Sequence, residues 1–145
     1  MEKPMSTPLH FQSARGIASQ IIRRQVSARE VLDHFLARIE QHNPALNAIV
    51  WKDADAADAA LDRGQVWGPL HGVPMTVKES FQVAGSPTTW GSPEFRDNVT
   101  DVDALAVQRL KTAGAIVFGK CNVPLMLADY QSYNDNYGTT NNPWD

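Results

Sequence analysis

Between Ser27 and Gln41, apolar residues recur at Val31, Leu32, Phe35, Leu36 and Ile39, a spacing that aligns them along one stripe of an α-helix. Ser27 and Glu30 ahead of the stripe have the spacing of a capping box, and Asn43-Pro44 is expected to stop the helix. A weaker helical pattern precedes it, from a Ser13 cap to about Arg24, with Ile17, Ile21 and Ile22 on one face and Gly16 inside. Leu46 to Trp51 is short, apolar and partly β-branched, so it is either a strand or an extended connector. The Ala-rich run Asp53 to Arg63 predicts a further helix with Gly64 as its C-cap. Its residues Asp53, Asp55, Asp58 and Asp62 form a solvated acidic face.

The pattern changes at Gly68. The turn Gly68-Pro69-Leu70-His71-Gly72 leads into Val73, Met75 and Val77 at period two, a strand that ends in Lys78. A lysine there either reaches the packed interior or its rim, where its amine can act as a base, or snorkels to solvent. Phe81 to Pro93 is broken by Gly and Pro and reads as a loop fed by that strand. Thr100 or Asp101 is expected to cap a helix through Ala113, with Val102, Leu105, Ala106, Leu110 and Ala113 facing inward. Gly114 ends it, and Ala115 to Gly119 is a buried strand. Strand, crossover helix and strand predict a right-handed βαβ unit with a parallel sheet, hence an α/β fold under a helical N-terminal layer.

Composition narrows the function classes. The 145 residues, 43% hydrophobic and 20% charged, suit a domain that buries a core. A net charge of −3 without any basic block argues against nucleic-acid and anionic-membrane partners. No apolar run has the length of a membrane span, and Met1 to Pro8 lacks the apolar centre of a signal peptide. Cys121, the single cysteine, cannot form an internal disulfide, which points to a reducing, cytoplasmic compartment. His10, His34, His42 and His71 have no metal-ligand spacing, so neither a metal nor a cofactor is expected.

Several motifs compete for chemistry. Gly114 to Cys121 nearly matches a P-loop, but its variable positions are the apolar strand itself, whose amides belong to a ladder and not to a phosphate. Cys121 lacks an activating neighbour and reads as a half-buried structural thiol. Lys78 and Glu79 are adjacent, so on a strand they face opposite ways. Asp129 to Asp145 is polar, aromatic and rich in amide side chains, and composition leaves open whether it lines a site or hangs free.

Taken in order, four blocks resemble the N-terminal part of the amidase signature family of serine hydrolases. They are Gly68-Pro69-Leu70-His71-Gly72-Val73-Pro74 with Val77-Lys78, then Leu110 through Lys120, then Asn122-Val123-Pro124, and finally Tyr137 through Asp145. The helix Ser27 to Gln41 followed by Asn43-Pro44-Ala45-Leu46-Asn47-Ala48 also fits, so the likeness spans roughly residues 13 to 145 after a lead-in over 1–12. It implies N-terminal helices plus the first, incomplete part of a mixed, largely parallel sheet. It also implies a Ser–cis-Ser–Lys triad that cleaves a carboxamide to an acid and ammonia or an amine, with backbone amides stabilising the oxyanion. On this resemblance Lys78 is the general base, and a lysine base must be largely neutral near pH 7, about three units below its ordinary ~10.4. By the same resemblance Asn122 to Leu127, above all Met126 and Leu127, would border the acyl pocket of a small-molecule amide substrate.

Two departures shape the expectation. Glu79 stands where the family often has Asp. More consequentially, the sequence up to Asp145 holds no Gly-Gly-Ser-Ser-type segment, the place of the bridging serine, the oxyanion amides and the nucleophile. The chain is therefore expected to be an inactive portion of an amidase, truncated before that segment, with the oligomeric state open and a homodimeric parent allowed. An amidotransferase component that acts on mischarged tRNA is the alternative within the family, although Pro124 to Asp129 lacks the Asp-Glu-Phe-Ala-Met-Gly type run usual there. A non-catalytic remnant or binding module is the alternative outside it, at the cost of an exposed sheet edge and apolar face.

Overall fold

Ser27 and Glu30 close the capping box that their spacing predicts: the Glu30 amide donates to Ser27 Oγ at 3.1 Å and the Ser27 amide to Glu30 Oε2 at 2.8 Å. A computed structural model of the chain describes residues 7–53 and 68–144. Helix α1 spans Ala14–Ile22 with Ser13 as its N-cap, and α2 spans Ala28–Leu46. Ile17 and Ile21 are buried, but Ile22 is 49% exposed, because it lies roughly 140° around the helix from Ile17. Pro44 does not stop α2, contrary to expectation. It sits in the last turn and forfeits one backbone bond, while Asn43 collects the chain beyond it. Asn43 Oδ1 accepts from the amides of Ala48 (2.9 Å) and Ile49 (2.8 Å), and Asn47 ends the helix in the left-handed region at φ 52°.

Of the stretch Leu46 to Trp51, Leu46 closes α2 and the strand β1, Ile49–Lys52, begins at Ile49. Strand β2 covers Pro74–Lys78, helix α3 Leu105–Thr112 and strand β3 Ile116–Cys121. The helix expected over 53–63 lies, beyond Asp53, outside the described residues. Among the described residues the sheet order is β1-β3-β2, with β3 parallel to β2 and antiparallel to β1, so the sheet is mixed, β3 is its centre and the expected parallel pair is β2 with β3. Ile116 through Lys120 are all buried, as a central strand requires, and the ladder occupies the backbone that a P-loop would need.

Successive residues of β3 divide the core. Ile116 and Phe118 join Leu32 with Phe35, Leu36 and Ile39 of α2 on one face. Val117 joins Val77, Val83 and Val107 on the other, under α3. A third cluster packs Ile17, Ala18 and Ile21 of α1 against Val31 and Val73.

Helix α3 starts later than its sequence suggests. Thr100 Oγ1 bonds locally to Val102 and the Ala104 amide donates to Gln82 O at 2.9 Å, so residues 100–104 stay outside the helix, against the loop 82–86. The later start resets the phase. Val107, with half-buried Leu110, faces inward, while Val102 (53%) and Leu105 (61%) are exposed and Ala106 also faces solvent.

The Gly-Pro turn before β2 is stitched to the turn before β3. Leu70 N donates to Ala113 O and Gly72 N to Gly114 O, both at 2.9 Å. Gly114 takes φ +95°, and a Cβ there would meet His71 Cα at 2.8 Å. Gly85, at φ +82°, has nothing within 4 Å of such an atom. Gly114→Ala should therefore cost at least about 2 kcal/mol in urea denaturation, whereas Gly85→Ala carries only left-handed strain of about 1 kcal/mol. Equal costs would contradict this packing.

Candidate active site

Parallel strands present their carboxyl ends to ligands in α/β proteins. At that end of β2 and β3, Lys78 pairs in register with Cys121, and the Glu79 amide extends the ladder to Cys121 O at 2.9 Å. Lys78 is exposed, so of the positions its spacing allows it takes the rim and not the interior. Glu79 points the other way, as adjacent strand residues do, and is fully buried. Cys121 is half-buried, and burial pushes its thiol pKa up.

Glu79 shares its burial with Lys120, which is also 0% exposed. The Glu79 carboxylate accepts from the amides of Thr89 (2.5 Å) and Trp90 (3.0 Å) and from the Tyr137 hydroxyl (3.1 Å). Burial raises the pKa of Tyr137, which keeps that hydroxyl a donor. Lys120 Nζ donates to Pro87 O and to Thr88 Oγ1, the latter at 2.9 Å. Desolvation pushes Lys120 down to about 8, against the Glu79 charge that favours its protonated form. Anion and cation thus grip one loop, residues 87–90, from beneath.

That loop carries an apolar rim. Trp90 sits at φ 52°, donates its indole N–H to Ser80 O at 3.0 Å and lies edge-on to Phe95. Its carbonyl accepts from the Met126 amide at 2.7 Å. Met126 (φ 50°) and Leu127 (φ 61°) follow in the left-handed region, both exposed beside this loop. Three non-glycine residues of positive φ in one bonded patch mark backbone that its surroundings hold under strain. Phe81, likewise exposed, is the second residue of the loop that leaves Ser80.

Asparagine side chains bond the amide-rich segment after Asp129 to the end of β3. Asn122 Nδ2 donates to Gly138 O and Thr140 Oγ1, both at 3.1 Å, while its Oδ1 accepts from Asn134 Nδ2 at 2.9 Å. Asn134 also donates to Val123 O and accepts from the amides of Asn136 and Tyr137. A short hairpin, β4 (Tyr133–Asn134) and β5 (Gly138–Thr139), results, and it delivers Tyr137 to Glu79. Gly91 is needed here, because a Cβ at its φ of +70° would lie 2.9 Å from Asn134 Cβ.

The structure therefore brings Met126, through Trp90, into one network with Glu79, the residue next to Lys78. Glu79, Lys120 and Asn134 are members of this network that sequence reasoning did not select as site residues, and Asn122, expected along the acyl pocket, joins it through Asn134. For Lys120 the reason is a bulge: Met75 pairs with Val117 but Thr76 with Gly119, so Phe118 is passed over. Strict alternation would put Lys120 on the α2 face with Ile116 and Phe118, whereas the bulge moves it opposite Val77, on the α3 face with Glu79.

The model of the Amidase family matches residues 30–145. The chain is 38% identical over 145 residues to an acylamidase of Rhodococcus erythropolis, covering 94% of this chain and 30% of that protein. It is 42% identical over 142 residues to a glutamyl-tRNA(Gln) amidotransferase component of Nitratidesulfovibrio vulgaris, covering 94% and 29% respectively. Its fold superposes on the solved structure of 6-aminohexanoate cyclic dimer hydrolase with a TM-score of 0.87 at 27% identity, over 97% of this chain and 29% of that one. The chain belongs to the amidase family, among the amidase signature enzymes, and spans about 30% of the length of the relatives it matches.

Lys120 gives this site a signature in stability. Its folded pKa of about 8 lies below the ordinary 10.5, so the unfolded chain holds the proton more tightly. The burial penalty is complete below pH 8 and is relieved as pH rises toward 10.5. Relative to Lys120→Met, the wild type should gain roughly 1.5 kcal/mol of unfolding free energy between pH 8 and pH 9.5. A difference that stays flat across this window would contradict a buried lysine.

Proposed function

We propose that these residues form the base-bearing part of an amide hydrolase, with Lys78 as general base and Met126 and Leu127 on the rim that receives the acyl group. The observation that carries this reading is the position of Lys78 at the carboxyl end of β2, in the parallel pair β2-β3 of a chain of the amidase family. The strained, exposed rim of Trp90, Met126 and Leu127 supports an apolar substrate portion. Lys78 lies at an open edge, so its work as a base requires surface that packs over that edge and excludes water. The reaction takes a proton from a serine that attacks the amide carbonyl and returns it to the departing amine. These 145 residues hold no Gly-Gly-Ser-Ser-type segment and span about 30% of the relatives they match, which supports a division of labour in which Lys78 serves a nucleophile outside these residues.

The 42% identity to an amidotransferase component favours one second reading, amide cleavage that feeds ammonia to a tRNA-bound acceptor. Hydrolysis of a simple arylamide without RNA separates the two.

The test compares p-nitroacetanilide hydrolysis by the 145-residue chain and by a longer protein that contains it. The longer protein should be active without tRNA and lose roughly 1,000-fold in kcat on Lys78→Ala, while the short chain shows no turnover. Turnover by the short chain that Lys78→Ala abolishes would overturn the division of labour, and full activity of the longer Lys78→Ala variant would overturn the base.

A further inference from the structure

Glu79 has no part in the proposed proton transfer, yet it is fully buried one residue beyond Lys78 and commits its carboxylate to three donors. All three belong to segments that shape the rim. The Thr89 and Trp90 amides fix the turn whose carbonyl holds Met126, and Tyr137 anchors the amide-rich hairpin over the same edge. Lys120 takes the neighbouring carbonyl, Pro87 O, so the loop is tied at both peptide polarities. A carboxylate accepts at both oxygens and donates nothing, so it alone can serve amides on each oxygen at once.

We infer that Glu79, seconded by Lys120, is a positioning residue that locks the Pro87–Trp90 loop to the end of β2 and so sets where the apolar rim stands relative to Lys78. It acts on how substrate is held, through Trp90 and Met126, and touches neither substrate nor the reacting atoms. This rests on the amidase reading above.

The variant Glu79→Gln keeps the shape but turns one oxygen into an NH2 that faces an amide donor. In the longer protein it should raise KM for p-nitroacetanilide at least 10-fold with kcat within 3-fold, and Glu79→Asp, still acceptor-only, should recover most of the KM. A merely structural carboxylate predicts the opposite split, kcat falling with the folded fraction while KM stays put. Hydrogen exchange supplies a readout without turnover: the Thr89 and Trp90 amides should exchange at least 10-fold faster in Glu79→Gln while those of Val31 and Leu32 are unchanged. Should Glu79→Gln fail to fold, Tyr137→Phe removes one donor and should raise KM about 3-fold. Unchanged KM, a Glu79→Asp variant no better than Glu79→Gln, or unaltered exchange at residues 89 and 90 overturns the inference. A wild type that cleaves no amide but shows the exchange effect defeats only the amidase reading.

Discussion

Two opposite charges buried on one face of a small sheet hold the end of this molecule together. Glu79 and Lys120 do not sit at the surface, where a pair contributes little. Each has lost its water and replaces it with backbone: the cation with Pro87 O, the anion with the amides of Thr89 and Trp90. Such an arrangement is costly to assemble and costlier to break, since removing one member strands the other without solvent. The loop 87–90 is therefore fixed by hydrogen bonds to buried charged groups, beneath an apolar side chain, Trp90, that is itself 43% exposed.

The consequences run outward from that pair. A fixed Trp90 places its carbonyl for the Met126 amide, and both residues accept left-handed backbone conformations that free chains avoid. Tyr137, bonded to Glu79, ties in the hairpin built on Asn122 and Asn134. Lys78, at the same edge, is exposed. The division is between a rigid frame beneath the sheet end and a lysine above it.

Much of the frame was legible in the sequence. The capping box, the buried run from Ala115 and the crossover unit follow from spacing and hydrophobic period, because those signals are local. What escaped was set by tertiary contact. Pro44 stays helical because Asn43 captures the chain after it, and α3 starts late because residues 100–104 bond to the loop 82–86. The face of Lys120 is decided by a bulge at Phe118, which alternation along the sequence does not reveal. Family resemblance singled out Lys78, Met126 and Leu127, but it says nothing of how the rim is held, since that depends on which carboxylate and which ammonium share an interior.

The claim on which this picture stands is that Glu79 and Lys120 act as one unit. A double-mutant cycle on unfolding free energy, with Glu79→Gln, Lys120→Met and the double variant, addresses it directly. If the two share one buried network, the double variant should cost less than the sum of the singles, by about 1–3 kcal/mol. Costs that add to within about 0.5 kcal/mol would show two independent residues and contradict the account.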